Sequence, residues 1–515
     1  MINSIRQLLS KYISHLSIEI FLKILSLLAL LSIFLKASID IDPSWDTWNY
    51  HLPFAARIWG IISKEEYAFE NLMEYRYQGF PLLAPALQGF FWFVSHHIQS
   101  TNLVSFFSLI IYVQFTKRYL QIPFYLSTIA ILSVPLIQIH STSSYTDLTA
   151  NIFTSIFLIL VYKQCKHLLY TDSFEIDFKG FLATLAVAGV ASNVKFQMIP
   201  IIFIFLIFYI FTLAYKYILF SQKDAYKLNE NRYILKLKLC VISAILLLPL
   251  IFFTPTKNII FYQNPFYPVQ VELLGNSLNY KEKTYRHSPE YMKNEPQFKR
   301  WIFSILEINA YDKRRPLLWT VDQGDVSLDS PSFRMGGYFG AYVIFHLCLL
   351  LYVLNIKNCV DKAYTFIFFL VLSIITSVMP QSHELRYYMY WMIILISLNL
   401  HLIVLEGSSK AQEATVILDQ KKLALITIFA FFVVSASTQF SYLIPRFFTL
   451  SSLQKNLDTK ILEEIKSTGE KRFCLVGKQP YSFLYASYFY ERDKYYIKST
   501  YNDKTDGCRN ARILH

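Results

Sequence analysis

Residues 18–36 read IEIFLKILSLLALLSIFLK, and residues 42–53, shortly after them, read DPSWDTWNYHLP. The first stretch is an apolar run long enough for a helix that crosses the hydrocarbon core of a bilayer. We expect it to be retained as an anchor, because it lacks a clear small-x-small cleavage site. The second stretch crowds carboxylates, tryptophans, a tyrosine and a histidine into the segment after that anchor. Together they predict a membrane protein with a polar, reactive segment at the membrane surface.

The composition of the whole chain agrees with a membrane location. Of the 515 residues, 54% are hydrophobic and 17% are charged, whereas a soluble domain has about 25% charged residues. A soluble enzyme, a disordered chain and a collagen-like fibre are therefore excluded. The net charge of +13 is carried mostly between apolar runs, which indicates topology determinants and no nucleic-acid partner. Six cysteines are too few for a disulfide scaffold.

Apolar runs of spanning length recur along the sequence, so we predict an all-α polytopic membrane protein with about eleven transmembrane helices. The predicted spans are 18–36, 101–116, 122–140, 148–163, 179–194, 198–215, 238–254, 337–356, 363–380, 387–405 and 422–441.

The positions of lysine and arginine predict the orientation. Arg6, Lys11 and Lys23 surround the start of the first span, which favours a cytoplasmic N-terminus. The apolar segment 81–97 decides the orientation of the later spans, because the basic loops between them are cytoplasmic only if this segment does not cross the membrane. We therefore expect it to lie in the interface or to re-enter, in a multi-pass protein of the inner (plasma) membrane.

With this orientation, the outer side carries loops 37–100 and 255–336, and interfacial helices are expected in the first of them. The short loop before Asp147, the turn at Lys195 and the tip before Arg386 face the same side. Candidate functional residues that are far apart in the sequence therefore meet on one membrane face.

The C-terminal part is less hydrophobic than the remainder. We divide the chain into a transmembrane domain, 1–444, and a small extracytoplasmic α/β unit, 445–515. Cys474 and Cys508 lie in this unit, where an oxidising compartment permits a disulfide. The sequence leaves their pairing open.

The segment 42–53 supplies the first candidate site residues. Tryptophans and tyrosines are usual at a membrane interface, but a carboxylate held beside the hydrocarbon boundary is costly and typically functional. We expect Asp46 to be catalytic, and Asp42, Tyr50 and His51 to contact the substrate.

Three further charged residues are expected on the same face. Asp147, in SSYTDLTAN, is a second candidate catalytic acid, or alternatively a helix N-cap or first-turn acid that favours the helix dipole. Lys195 is expected to bind an anion, or alternatively to snorkel. Arg386 suits bidentate binding of a phosphate, or alternatively anchors its helix at the interface.

Two turns complete the outer face. Residues 263–269, QNPFYPV, form a rigid aromatic turn from which Tyr267 is a candidate substrate contact. Residues 334–340, RMGGYFG, form a flexible glycine turn. Acids beside a phosphate-binding pair suit glycosyl transfer from a lipid phosphate, in which a carboxylate deprotonates an acceptor hydroxyl and cations stabilise the departing phosphate.

These residues resemble the motifs of the GT-C superfamily of polyprenyl-phosphate-sugar-dependent glycosyltransferases, in its bacterial branch similar to protein O-mannosyltransferases, the lipid A aminoarabinose transferase and galacturonosyltransferases. The resemblance covers about residues 15–405. It is carried by W-D-x-x-x-Y-H-L-P, an acid in the second loop, N-P-x-Y-P and a glycine pair, which stand here as Trp45, Asp46, Tyr50, His51, Leu52, Pro53, Asp147, Asn264, Pro265, Tyr267, Pro268, Gly336 and Gly337.

The resemblance implies a multi-span helical fold with a non-cytoplasmic active site and inverting transfer from a polyprenyl-phosphate sugar to a glycan, lipid or protein acceptor. Asp46 would be the base or orient the acceptor, and Asp147 would be a second acid. Lys195 and Arg386 would contact the donor phosphate. The second loop has one acid where an acidic pair is usual, so no metal cofactor is expected, although a divalent metal stays possible. The small C-terminal unit favours transfer of a single sugar.

Two other classes fit the same composition. A transporter or flippase of lipid-linked saccharides would more often show paired repeats and spans broken at mid-depth, and we find no repeat. An O-antigen polymerase or ligase would concentrate its chemistry in one large late loop and would leave the motif of residues 42–53 unexplained.

Overall fold

The computed structural model describes residues 2–171, 177–221, 230–273, 275–284, 292–308, 338–356, 361–408, 420–477, 481–490, 494–500, 508 and 510–514. The glycine pair Gly336–Gly337 lies outside these residues. The helices are Ile2–Ile39 (α1), Leu52–Ile58 (α2), Asn71–Gly79 (α3), Leu83–Ser95 (α4), Leu103–Tyr119 (α5), Phe124–Leu132 (α6), Pro135–His140 (α7), Asp147–Tyr170 (α8), Phe178–Val194 (α9), Ile199–Ser221 (α10), Glu230–Ile251 (α11), Phe253–Tyr262 (α12), Gln297–Ile305 (α13), Tyr338–Ile356 (α14), Asp361–Val378 (α15), Met389–Ser408 (α16), Gln420–Ser437 (α17), Leu450–Gln454 (α18) and Thr459–Ser467 (α19). The strands are Tyr67–Ala68 (β1), Glu272–Leu273 (β2), Asn276–Ser277 (β3), Arg472–Val476 (β4), Tyr496–Thr500 (β5) and Arg512–Leu514 (β6).

The protein is an all-α multi-pass membrane protein with a small sheet at its C-terminus. Within the described ranges, five helical segments are long and apolar enough to cross a membrane, or six if one bent pair counts as a span. The five are Ile18–Ile39, Ile98–Tyr119, Asp147–Tyr170, Phe196–Leu219 and Leu385–Val404. Shorter apolar helices occupy the other predicted spans, namely Phe178–Val194, Phe339–Asn355, Lys362–Val378 and Lys422–Ala436.

The predicted span 122–140 differs from a single helix, because it is divided into α6 and α7. The division falls at Ser133 and Val134, directly before Pro135. Proline has no N–H to donate and disfavours the helical conformation of the residue before it. Val134 accordingly has extended dihedrals of −89° and 116°. The apolar run is visible in the sequence, and its proline explains the break.

The predicted span 238–254 is bent instead, with an angle of 64° between α11 and α12. Pro255 cannot donate to the carbonyl of Ile251, four residues earlier. That carbonyl accepts hydrogen bonds from the Ser192 hydroxyl and, at 3.0 Å, from the Asn193 amide. The Asn193 oxygen in turn accepts from the Thr254 N–H at 3.2 Å. The end of α9 is thereby tied to the bend, which fixes the chain where it reaches Lys195.

The segment 81–97 contains one helix, α4, of 13 residues. At 1.5 Å per residue it is about 20 Å long, which is shorter than the roughly 30 Å hydrocarbon core. Its Trp92 is buried against the ring of Tyr488 in the C-terminal tail, whereas Phe90 and Phe93 are exposed. This is the pattern of a helix with one face on the protein and one apolar face outward.

The C-terminal sheet includes a strand from the first outer loop. The order is β1-β5-β4-β6 with every pair parallel, and Tyr67 in β1 is paired with Ile497 in β5. A second hydrophobic core, separate from that of the spans, joins this loop to the tail. A disulfide links Cys474 and Cys508. The boundary at 444 stays a prediction, and the unit after it packs together with the loop that contains Asp46.

Candidate active site

Asp42 fixes the start of the first outer loop. Its carboxylate accepts hydrogen bonds from the Ser44 N–H at 2.9 Å and hydroxyl, from the Thr47 hydroxyl at 2.7 Å, and from the Ser143 hydroxyl at 2.7 Å and the Ser144 N–H at 2.9 Å. These bonds join the loop to the turn before α8. Since five donors occupy its carboxylate, Asp42 has the contacts of a positioning residue, and its expected contact with substrate stays a prediction.

Asp46 lies at the start of a wide helical turn, Thr47–His51, that leads into α2. Its Oδ2 is 3.5 Å from Nη1 of Arg386, and the two side chains are 21% and 24% exposed. Both charged groups are therefore accessible to a ligand. Arg386 precedes α16, so that the structure brings together two residues that the sequence separates by most of the chain.

Asp147 and Lys195 form the second ion pair of the cluster. The Asp147 carboxylate is fully buried at the first residue of α8, and its Oδ1 accepts from Lys195 Nζ at 2.5 Å. The other oxygen, Oδ2, is buried without a hydrogen-bond partner in the described part of the chain. The side chain does not cap its helix, but the residue lies in the first turn of α8, where an acid favours the helix dipole. Its contacts are those of a buried ion pair.

Asn151, which the sequence analysis did not single out, connects the two ion pairs. It lies one turn after Asp147, and its amide donates to the Arg386 carbonyl at 3.0 Å. Its oxygen accepts from the Tyr390 N–H at 2.9 Å. The start of α16 is thereby fixed against α8. The spacing of four residues from Asp147 was the available signal, because such residues share one face of a helix.

Two tyrosines, also not predicted, form the walls of the cluster. The Arg386 guanidinium lies 5.6 Å from the ring of Tyr145 and 5.0 Å from that of Tyr387, and the Lys195 ammonium lies 4.3 Å from the Tyr387 ring. Cations at these distances are attracted by the ring faces. Each tyrosine lies within two residues of a predicted charged residue, and that adjacency was the signal in the sequence.

His51 and Tyr50 border the same cluster from the first outer loop. The ring of His51 is 5.9 Å from that of Tyr145, and its Nε2 is buried without a hydrogen-bond partner in the ranges described. Burial lowers the pKa of His51 to about 3; the charges of Lys195 and Arg386 act in the same direction, and Asp147 opposes them. Burial, followed by the charge of Asp46, raises the pKa of Tyr50 well above its usual value. Both side chains are therefore neutral near pH 7.

Tyr267 is placed elsewhere. Its ring stacks on Tyr262 at 4.0 Å and contacts Tyr75 at 6.4 Å, and its carbonyl accepts from Asn258 at 3.2 Å. These are contacts of the turn after α12 with α3, not with the charged cluster. A Cβ built on Gly79, the last residue of α3, would come 2.2 Å from the Tyr267 carbonyl oxygen. Glycine therefore permits this close approach.

No metal cofactor is expected from the sequence, and this stays a prediction. In the portion of the chain that the structure describes, no group of three or more His, Cys, Asp or Glu side chains has the arrangement of a metal site. The charged cluster instead combines carboxylates with two cations and aromatic rings.

The comparisons with known proteins identify the fold. No protein-family model matches the sequence, and no curated protein matches it. The crystal structure of ArnT from Cupriavidus metallidurans in the apo state is similar, with a TM-score of 0.50 and 10% identity over 97% of this chain and 90% of that one. The crystal structure of the same protein bound to undecaprenyl phosphate gives a TM-score of 0.49 and 11% identity over 95% and 89% of the two chains. The chain therefore has a fold similar to that of ArnT.

Proposed function

We propose that the protein is a membrane glycosyltransferase that moves a single sugar, with inversion, from a polyprenyl-phosphate donor to a hydroxyl of a glycan, lipid or protein. The observation that carries this proposal is the joining of Asp46, Arg386, Asp147 and Lys195 into one cluster on a GT-C-type fold. ArnT, which has a similar fold, has been crystallised with undecaprenyl phosphate, and we extend a polyprenyl-phosphate ligand to this chain.

The proposed chemistry assigns one role to each part of the cluster. The Asp46 carboxylate takes the proton of the acceptor hydroxyl, and the acceptor oxygen forms a bond to the anomeric carbon of the sugar. The bond from that carbon to the phosphate oxygen breaks, and its electron pair leaves with the polyprenyl phosphate. Arg386 and Lys195 stabilise the negative charge on that phosphate. Asp147 holds the Lys195 ammonium in place.

We also propose that this site faces the non-cytoplasmic side of the inner membrane, with a cytoplasmic N-terminus. Disulfides persist in oxidising compartments, and Cys474 and Cys508 are joined. Strand β5, in the same tail, is paired with β1 of the first outer loop. The segment that carries Asp46 therefore shares the compartment of the disulfide.

The test compares purified wild type with Asp46→Asn, using a panel of undecaprenyl-phosphate hexoses and pentoses as donors and an envelope-lipid extract as the acceptor source. Release of undecaprenyl phosphate is measured, and donor binding is measured separately. We expect wild type to release it and Asp46→Asn to bind donor but to lose at least about 10²-fold in rate, the lower end for general-base catalysis.

The matched control is Asp458→Asn. Asp458 is an exposed N-cap of α19, and asparagine caps helices equally well, so its activity should equal that of wild type. Full turnover by Asp46→Asn would remove the base from the proposal. Movement of lipid-linked saccharide across a vesicle membrane without release of the polyprenyl phosphate would establish a flippase instead.

A further inference from the structure

We infer that a second site, distinct from the charged cluster, binds a phosphate-bearing anion at the opposite end of the helix bundle, where an anionic phospholipid headgroup is the expected ligand. A cavity of about 340 Å³ lies between the ends of α5, α8, α9 and α10. Its volume is in the range of small-molecule pockets, about 300–1,000 Å³. This inference does not depend on the proposed function.

The position of the cavity separates it from the cluster. Asp147 is the first residue of α8, whereas Lys163 and His167, which line the cavity, are in its last turns. At 1.5 Å per residue, Lys163 lies about 24 Å from Asp147 along the helix axis. That distance approaches the thickness of the hydrocarbon core, roughly 30 Å, so the two sites belong to opposite membrane faces.

Two polar side chains in the cavity wall, those of Gln164 and Asp177, already have hydrogen-bond partners. The Gln164 amide donates to the Gly180 carbonyl at 2.9 Å and to the Thr184 hydroxyl at 2.6 Å, and its oxygen accepts from the Tyr209 hydroxyl. The Asp177 carboxylate accepts from the Gly180 N–H at 3.0 Å, as the N-cap of α9. These side chains give the cavity a fixed polar wall.

Lys163 retains the capacity to bind a ligand. Its ammonium donates to the Tyr119 carbonyl at the end of α5, and an ammonium has three donors. The Lys216 ammonium, from α10, is held nearby on the Thr171 carbonyl at 2.5 Å. Lys117 and Arg118 occupy the last turn of α5. Basic residues are therefore concentrated on the helix ends around the cavity, and Lys163 lines it together with the Asp177 carboxylate.

The remaining wall is apolar. Leu160, Leu168 and Leu213 line the cavity together with Lys163. A lysine above apolar walls, between helix ends that carry further basic residues, matches a lipid phosphate with the start of its acyl chains. An inorganic phosphate shares the charged group but has nothing to place against the leucines.

The experiment counts lipids retained by the full-length protein in nanodiscs of phosphatidylcholine mixed with phosphatidylglycerol, by native mass spectrometry. We expect wild type to retain phosphatidylglycerol in preference to phosphatidylcholine. Lys163→Gln should weaken that retention about tenfold, the effect of one charge-assisted hydrogen bond. Lys163→Arg, which keeps the charge, should retain the lipid and show that the cavity is folded.

The matched control is Lys179→Gln, an exposed lysine at the start of α9, which should behave as wild type. Equal retention of both lipids by wild type, unchanged retention by Lys163→Gln, or an equal loss in Lys179→Gln would each overturn the inference. An excess of inorganic phosphate distinguishes the sources. Displacement of the lipid would support a site for the phosphate group from either source, and no displacement would support a site specific for the lipid.

Discussion

Asn151 illustrates why some residues of the site cannot be predicted from the sequence. The charged residues Asp46, Asp147, Lys195 and Arg386 stand out in an apolar chain, and the structure brings all four together. An asparagine in a polar-flanked helix start does not stand out. Its role depends on the arrival of the Arg386 carbonyl at 3.0 Å, and that approach is set by the packing of two helices far apart in sequence.

The buried His51 predicts that the stability of the protein depends on pH. Its pKa is about 3 in the folded protein and about 6.5 in an unfolded chain. Between these values the unfolded state binds more protons, so the free energy of unfolding rises with pH. The stabilisation is complete above about pH 6.5 and is lost as the pH falls toward 3. Acidification from pH 7.5 to 5 should cost wild type up to about 2 kcal/mol.

Thermal unfolding in detergent at the two pH values checks this prediction. His51→Gln has no imidazole to titrate, so its midpoint should fall less on acidification than that of wild type. A wild-type midpoint with the same pH sensitivity as that of the variant would contradict a neutral, buried His51.

Among the elements, apolar runs are predictable from composition and their interruptions follow from proline. The run 122–140 was expected as one span and is two helices, because Pro135 breaks it. The run 238–254 continues into α12 through a 64° bend, which Asn193 stabilises. The sequence contains both prolines. The groups that bind the freed Ile251 carbonyl belong to another helix, α9, and a local pattern carries no information about them.

The contact of α3 with the turn after α12 predicts that a larger residue at position 79 destabilises the protein. Gly79→Ala would place a methyl group 2.2 Å from the Tyr267 carbonyl oxygen, so that the helix and the turn must separate. We expect a loss of stability of about 1–3 kcal/mol, as for overpacking. The measurement is the midpoint of thermal unfolding, with Gly469→Ala as the control, because a Cβ there meets nothing within 4 Å. Equal midpoints for the two variants would contradict the close approach.

For the whole molecule, we predict that the C-terminal tail lies on the non-cytoplasmic side of the membrane. The disulfide makes this prediction testable. An impermeant maleimide should label no cysteine of the tail in intact cells until an impermeant reductant opens the bond between Cys474 and Cys508. The test uses a variant in which alanine replaces the other cysteines, Cys165, Cys240, Cys348 and Cys359.

The further replacement of Cys474 and Cys508 by serine is the control and should abolish the labelling. Labelling that requires permeabilised cells would place the tail, and with it the Asp46 segment, in the cytoplasm. That result would reverse the orientation predicted from lysine and arginine.

The shared sheet and core of the first outer loop and the tail have a consequence for how the protein is made. Tyr67 and its hydrogen-bond partner Ser482 are 415 residues apart. At 5–20 residues per second, a ribosome needs about 20–80 s to synthesise that length. The segment that carries Asp46 must wait for its last packing partners to emerge. A nascent or truncated chain would therefore lack this second core, and completion of translation would be the event that completes the fold around Asp46.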